Sequence, residues 1–95
     1  MKVITKVETA RGRAAYVLFS ETTDSGEKYG ITVRSELFKA PEETTVRDIT
    51  SEREFAEKLL FVLADNLVLP STADEVIEEY VAAAFTVSKV NVWFW

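Results

Sequence analysis

Cysteine and histidine are both missing from the 95 residues. Without cysteine there is no disulfide, no thiolate metal site and no cysteine nucleophile, and nothing points to an oxidising compartment. Without histidine the chain lacks the commonest general base near neutral pH and the commonest transition-metal ligand. Carboxylates, hydroxyls, lysines, tyrosines and backbone groups remain, so the expectation is a non-catalytic protein with neither cofactor nor metal. Long apolar runs are absent too. None is longer than Tyr80 to Phe85, which is far too short to cross a bilayer, and no lipidation motif ends the chain. Residues Met1 to Val7 alternate polar and apolar instead of forming the continuous apolar stretch of a secretory signal. These features lead to the expectation of a cytoplasmic protein that does not span a membrane.

Ninety-five residues with 47% hydrophobic and 28% charged side chains have the composition of an ordinary globular chain. At this length one core is expected, removing roughly 60–65% of the unfolded surface from water. No repeat, low-complexity tract or linker divides it, so residues 1–95 read as a single domain. The formal net charge of −5 is unevenly spread. Residues 1–20 carry Lys2, Lys6, Arg11 and Arg13 against Glu8, whereas residues 40–80 carry eleven acids against three bases. Acid-rich helices oppose attraction to a phosphate backbone, which argues against nucleic-acid binding.

Val3, Thr5 and Val7 alternate with Lys2, Lys6 and Glu8 as in a half-buried strand. A turn through Thr9–Arg13, where Gly12 can adopt positive φ, leads to a second strand over Ala14–Ser20. Asp24-Ser25-Gly26 has the residues of a tight turn, and Tyr29, Ile31 and Val33 then alternate with Gly30, Thr32 and Arg34. Pro41 marks a loop, and Thr44–Thr50 is a short fourth strand interrupted by Asp48.

Ser51-Glu52-Arg53-Glu54 has the pattern of a capping box. Phe55, Leu59, Val62 and Leu63 then line one face of a first helix, with Leu60 and Phe61 widening that face towards full burial. Asn66 ends this helix, and a second begins near Thr72 with Val76, Ile77, Tyr80, Val81 and Ala84 as its apolar stripe. Thr86–Trp95 returns to strand-like residues, with Val90, Val92 and Phe94 on one side and Asn91, Trp93 and Trp95 on the other. Strands first and helices after imply an α+β domain. The expected architecture is an antiparallel sheet of three to five strands packed on one face by two helices from the C-terminal half.

Four constellations could carry function. Asp74, Glu75, Glu78 and Glu79 have oxygens at a spacing that could share a hard cation, but their positions suit a solvated helix face and no calcium-loop spacing accompanies them. Arg11 and Arg13 flank Gly12 and could hold a phosphate or carboxylate; a charged hairpin tip is the simpler account. Serine and threonine hydroxyls lie in no nucleophile motif. Trp93, Phe94 and Trp95 close the chain with three of its eleven aromatics. That end reads as a final core strand, as a partner or homodimer surface, or as both.

The Tyr29-Gly30-Ile31 strand, the Val46-Arg47-Asp48-Ile49-Thr50 segment and Pro70 followed by Glu75-Val76-Ile77-Glu78-Glu79-Tyr80 resemble a small family of uncharacterised proteins from Gram-positive bacteria. That resemblance covers most of residues 1–82 and implies no function. It departs from the family at Ser71-Thr72, where a histidine usually follows the proline, and at the aromatic tail. The leading expectation is therefore a cytoplasmic protein-interaction or self-associating domain that docks through its aromatic end, Trp93, Phe94 and Trp95, or through the sheet's open face. The alternative is a domain that senses a small anionic ligand near Arg11 and Arg13 or in the pocket between sheet and helices. A divalent-metal-dependent enzyme stands third.

Overall fold

Alternating segments become strands and helically spaced segments become helices along this chain. A computed structural model describes residues 1–10, 13–36 and 40–93, with side chains as far as residue 84. The elements are β1 (Lys2–Thr9), β2 (Ala14–Thr23), β3 (Gly26–Ser35), β4 (Glu42–Thr50), α1 (Arg53–Asp65) and α2 (Pro70–Trp93). The strands form one sheet in the order β1-β2-β3-β4, each antiparallel to its neighbour. Asp24 and Ser25 close the β2–β3 hairpin, and Gly26 follows at φ 105°, which L side chains rarely adopt.

Both helices pack on one face of this sheet, giving the expected α+β architecture. Ala14, Tyr16 and Leu18 of β2 and Ile31 and Val33 of β3 meet Ala56, Leu59, Leu60 and Leu63 of α1 and Ala73 and Ile77 of α2 in one buried cluster. Burial of such apolar side chains is the main favourable contribution to folding. α1 lies chiefly over β2 and β1, and α2 over β4. Two polar contacts fix the link between the helices. The Tyr16 hydroxyl donates to the Val68 carbonyl at 2.9 Å, and the Thr44 hydroxyl donates to the Pro70 carbonyl at 2.8 Å.

Helix α1 ends in a Schellman motif. The Val68 amide donates to the Leu63 carbonyl at 3.0 Å and the Leu67 amide to the Ala64 carbonyl at 3.2 Å, with Asn66 as the C-cap. Leu67 sits at φ 49°, where glycine is the usual occupant. Packing of its side chain against the core cluster opposes the backbone cost.

Several expectations are corrected. Thr86–Trp95 is not a strand as far as the structure describes it: α2 continues to Trp93. Neither glycine nor proline follows Pro70, so the chain contains no strong helix breaker there, and Ala82-Ala83-Ala84 favours continuation. The capping box is not made. The N-cap is Glu52, without a side-chain cap bond, and the Thr50 hydroxyl instead accepts from the Glu52 amide at 3.0 Å. Helix α2 begins at Pro70, two residues earlier than expected, where proline suits the first helical position.

Strand β1 contains a bulge between Val3 and Thr5. An extra residue interrupts strict alternation, so Ile4 and Val7 pack against the core whereas Val3 pairs with Phe19 and is 56% exposed. Phe61 is 50% exposed, because Ala56, Leu59, Leu60, Leu63 and Ala64 already fill the inward face of α1. β4 is a full strand, and its interruption at Asp48 is structural.

Phe19 occupies an unusual place. Alternation turns it away from Leu18 and the helices, yet it is only 1% exposed. It pairs across the strands with Gly30, whose missing side chain leaves room for the ring.

Candidate functional site

The register shift in β4 shapes the leading candidate. Tyr29 pairs with Thr50 and Ile31 with Val46, so the single residue Gly30 lies opposite Arg47, Asp48 and Ile49. Asp48 absorbs the extra chain at φ 54°, a region aspartate tolerates better than most side chains. The distortion sends neighbouring side chains in different directions. Ile49 packs against the core cluster, whereas Arg47 pairs with Glu21 at 2.9 Å. Because β3 lies between β4 and β2, that ion pair crosses a whole strand.

Opposite the bulge, α2 presents Asp74, Ile77, Glu78, Val81 and Ala82, whose spacing places them along one side of a helix. Bulge and helix enclose a cleft of ≈ 560 Å³, within the usual range of ligand sites. Half-buried Val46, Ile49 and Val81 provide most of the apolar surface and Ile77, 3% exposed, a small part of it, while Asp48, Asp74 and Glu78 provide carboxylates. The Asp74 carboxylate accepts from the Glu75 amide at 2.9 Å. No ion pair engages Asp48, Asp74 or Glu78 among the described residues. Arg47 also borders the cleft, but its guanidinium is committed to Glu21.

A second concavity of ≈ 540 Å³ lies near the β1–β2 turn and includes Lys6, Arg13 and Arg34. Cross-strand register brings Glu8 and Arg34 to either side of Ala15. Lys6 pairs with Glu8 at 2.9 Å and Arg34 with Glu36 at 3.6 Å, so acids offset two of the three cations. Arg13 is exposed at φ 47°, and Arg11 lies outside the described residues. The structure therefore brings Arg13 together with Lys6 and Arg34, which alternation and hairpin register would have placed on one face.

Comparison with protein families supplies one positive finding: the model of a family of unknown function, DUF6514, matches residues 1–83. The chain belongs to the DUF6514 family. No curated protein and no solved structure matches it. Within the DUF6514 match lie the whole sheet, α1 and all residues bordering the cleft. Trp93 is the last residue of α2, and Phe94 and Trp95 lie outside the described residues. All three fall beyond the family match.

The four helix acids do not act as one group in this DUF6514 domain. Asp74 and Glu78 border the cleft, whereas Glu75 and Glu79 do not. No grouping suited to holding a metal ion occurs among the described residues. Among the same residues no helix is long and apolar enough to cross a membrane. Burial raises the Tyr16 hydroxyl above the usual tyrosine value. That group lies in the core, where its bond to Val68 serves the fold. Sequence reasoning placed Asp74 and Glu78 on a solvated helix face, with a hard-cation site as the alternative, and missed Asp48 and Ile49 as the opposite wall. Asp48 interrupting a β-rich segment was the available signal for the bulge.

Proposed function

We propose that this chain is a non-catalytic, cytoplasmic protein-interaction domain, and that its docking surface is the cleft between the β4 bulge and α2. One observation carries the reading. Apolar side chains and carboxylates without an ion-pair partner among the described residues border the same open cleft, whereas scattered surface residues would offer no such combination. The lack of histidine and cysteine supports a role in binding over catalysis. The aromatic residues Trp93, Phe94 and Trp95 are a second candidate for contact with a protein partner or a second copy, on their residue type alone.

A photo-cross-linking residue placed at exposed Ala82, on the cleft, tests the proposal in the cells that make the protein. The same group at Phe61, which is 50% exposed on α1, is the control. A discrete adduct from position 82 alone supports cleft docking, and its mass distinguishes a second copy from another protein. Equal patterns from both positions would refute it.

The second reading is anion sensing, supported by the convergence of Lys6, Arg13 and Arg34 on one concavity. A metabolite that raises the melting temperature, with the rise lost in Arg13→Ala, would favour that alternative. A divalent-metal-dependent activity abolished by Glu78→Gln would favour the third reading, an enzyme.

A further inference from the structure

We propose that the occupant of the β4–α2 cleft is a basic amphipathic helix from another protein, its apolar side against Val46, Ile49, Ile77 and Val81 and its lysines or arginines facing Asp48, Asp74 and Glu78. This rests on the reading of the cleft as a docking surface and adds the chemistry of the partner.

Charge is the first argument. Three carboxylates border the cleft without an ion-pair partner among the described residues. The neighbouring cation, Arg47, is held at 2.9 Å by Glu21 of β2. The cleft therefore carries an uncompensated negative potential, which an incoming cation relieves and an incoming anion increases. Arg53 and Lys58 of α1 do not border the cleft, and each has an acid of its own helix beside it, Glu57 at 2.8 Å and Glu54 at 3.8 Å.

Shape is the second argument. From Asp74 to Ala82 the cleft follows α2 for nine residues, whose eight rises of about 1.5 Å span about 12 Å, the length of roughly two turns of a docked helix. Its apolar members come from both walls, Val46 and Ile49 from the strand and Ile77 and Val81 from the helix. An amphipathic helix laid in such a groove presents apolar anchors at i, i+3, i+4 and i+7 while flanking positions remain free for charge. A single ammonium or an isolated apolar molecule satisfies only one of the two chemistries.

The probe is a fluorescein-labelled synthetic helix of leucines and lysines arranged on opposite faces, with a counter-probe in which every lysine is glutamate. Fluorescence anisotropy with the full chain should give saturable binding of the lysine peptide alone. The Asp48→Asn/Asp74→Asn/Glu78→Gln variant should weaken it on the order of tenfold or more, since all three sites lose their charge. A matched variant, Glu54→Gln/Glu75→Gln/Glu79→Gln, removes the same charge outside the cleft and should leave the affinity within about twofold. All six positions are exposed, and thermal melts of both variants check that they fold.

Equal weakening by the two triple variants would mean attraction to net charge alone and would overturn the proposal. So would binding of the glutamate peptide as strong as that of the lysine peptide, or no saturable binding of either. An Ala82 adduct with a second copy, or with a partner lacking a basic amphipathic helix, would also overturn it while leaving cleft docking intact. Absence of any specific adduct at Ala82 counts against the docking reading itself.

Discussion

Replacing Gly30 by alanine should destabilise the domain, opposite to what strand propensity alone gives. In an ordinary strand the added methyl stabilises by about 0.5–1 kcal/mol, because glycine loses more backbone freedom on folding. At Gly30 the new Cβ would lie 2.5 Å from Phe19 Cζ, 2.9 Å from Phe19 Cε2 and 2.7 Å from the Val46 carbonyl oxygen. Movement of the ring relieves the first two contacts. The third involves β4 backbone at the start of the bulge, which cannot retreat without disturbing its pairing to Ile31. Overpacking costs about 1–3 kcal/mol, and contacts as short as 2.5 and 2.7 Å put this substitution at the upper end, so a net loss of roughly 2 kcal/mol remains after the backbone gain is subtracted. For a domain of this size that corresponds to a fall in Tm of about 8–16 °C. Calorimetry and urea unfolding of Gly30→Ala, Phe19→Leu and the double variant provide the assay. The double variant should be more stable than the sum of the single losses requires, by about 1 kcal/mol, because leucine lacks the two ring atoms that clash. Part of the loss should persist through the Val46 carbonyl. A Gly30→Ala protein as stable as the parent, or strict additivity in the cycle, would refute the account of Phe19.

Tyr16→Phe should cost about 1 kcal/mol at neutral pH by removing the bond to Val68. Burial raises the Tyr16 pKa above its ordinary 10.0, so the stabilising difference is fully present below about pH 10 and lost as pH rises through the folded value. Urea midpoints measured on both sides of that pH should fall less steeply for Tyr16→Phe than for the parent. Gly26→Ala should lose about 1 kcal/mol in denaturant titrations despite open space around the new methyl, because its φ of 105° suits glycine. A chain ending at Val87 should retain Tm to within a few degrees, about 1 kcal/mol or less, because the last buried member of the core cluster among the described residues is Ile77. Collapse of its cooperative transition would make the aromatic end part of the fold.

The periodicities that place the sheet and both helices were legible because each strand or helix buries one face. Tyr29, Ile31 and Val33 announce their strand by alternation, and Val76, Ile77, Tyr80 and Val81 announce their helix by spacing. The bulges were less legible. One extra residue at Ile4 re-aims Val3, and this depends on pairing with Phe19, a partner sixteen positions away. The helical continuation of α2 was misread because Val90, Asn91, Val92 and Trp93 fit an alternating pattern, whereas the missing breaker after Pro70 carried the better information. The cleft was hidden for the same long-range reason. Asp48 and Glu78 are thirty residues apart, and only the packing of α2 against the bulged strand brings them to one opening.

Both outer strands also limit how the molecule can be extended. β1 loses even register at Ile4 and carries Lys2, Lys6 and Glu8, while β4 follows Pro41 and buckles at Asp48. An unbroken hydrogen-bonded row would invite another chain to add itself as a fifth strand, and then a sixth. These interrupted margins discourage such stacking from either side. The molecule is thereby biased towards remaining a discrete four-stranded unit at high concentration, and the irregularity that opens the cleft in β4 also helps keep the sheet finite.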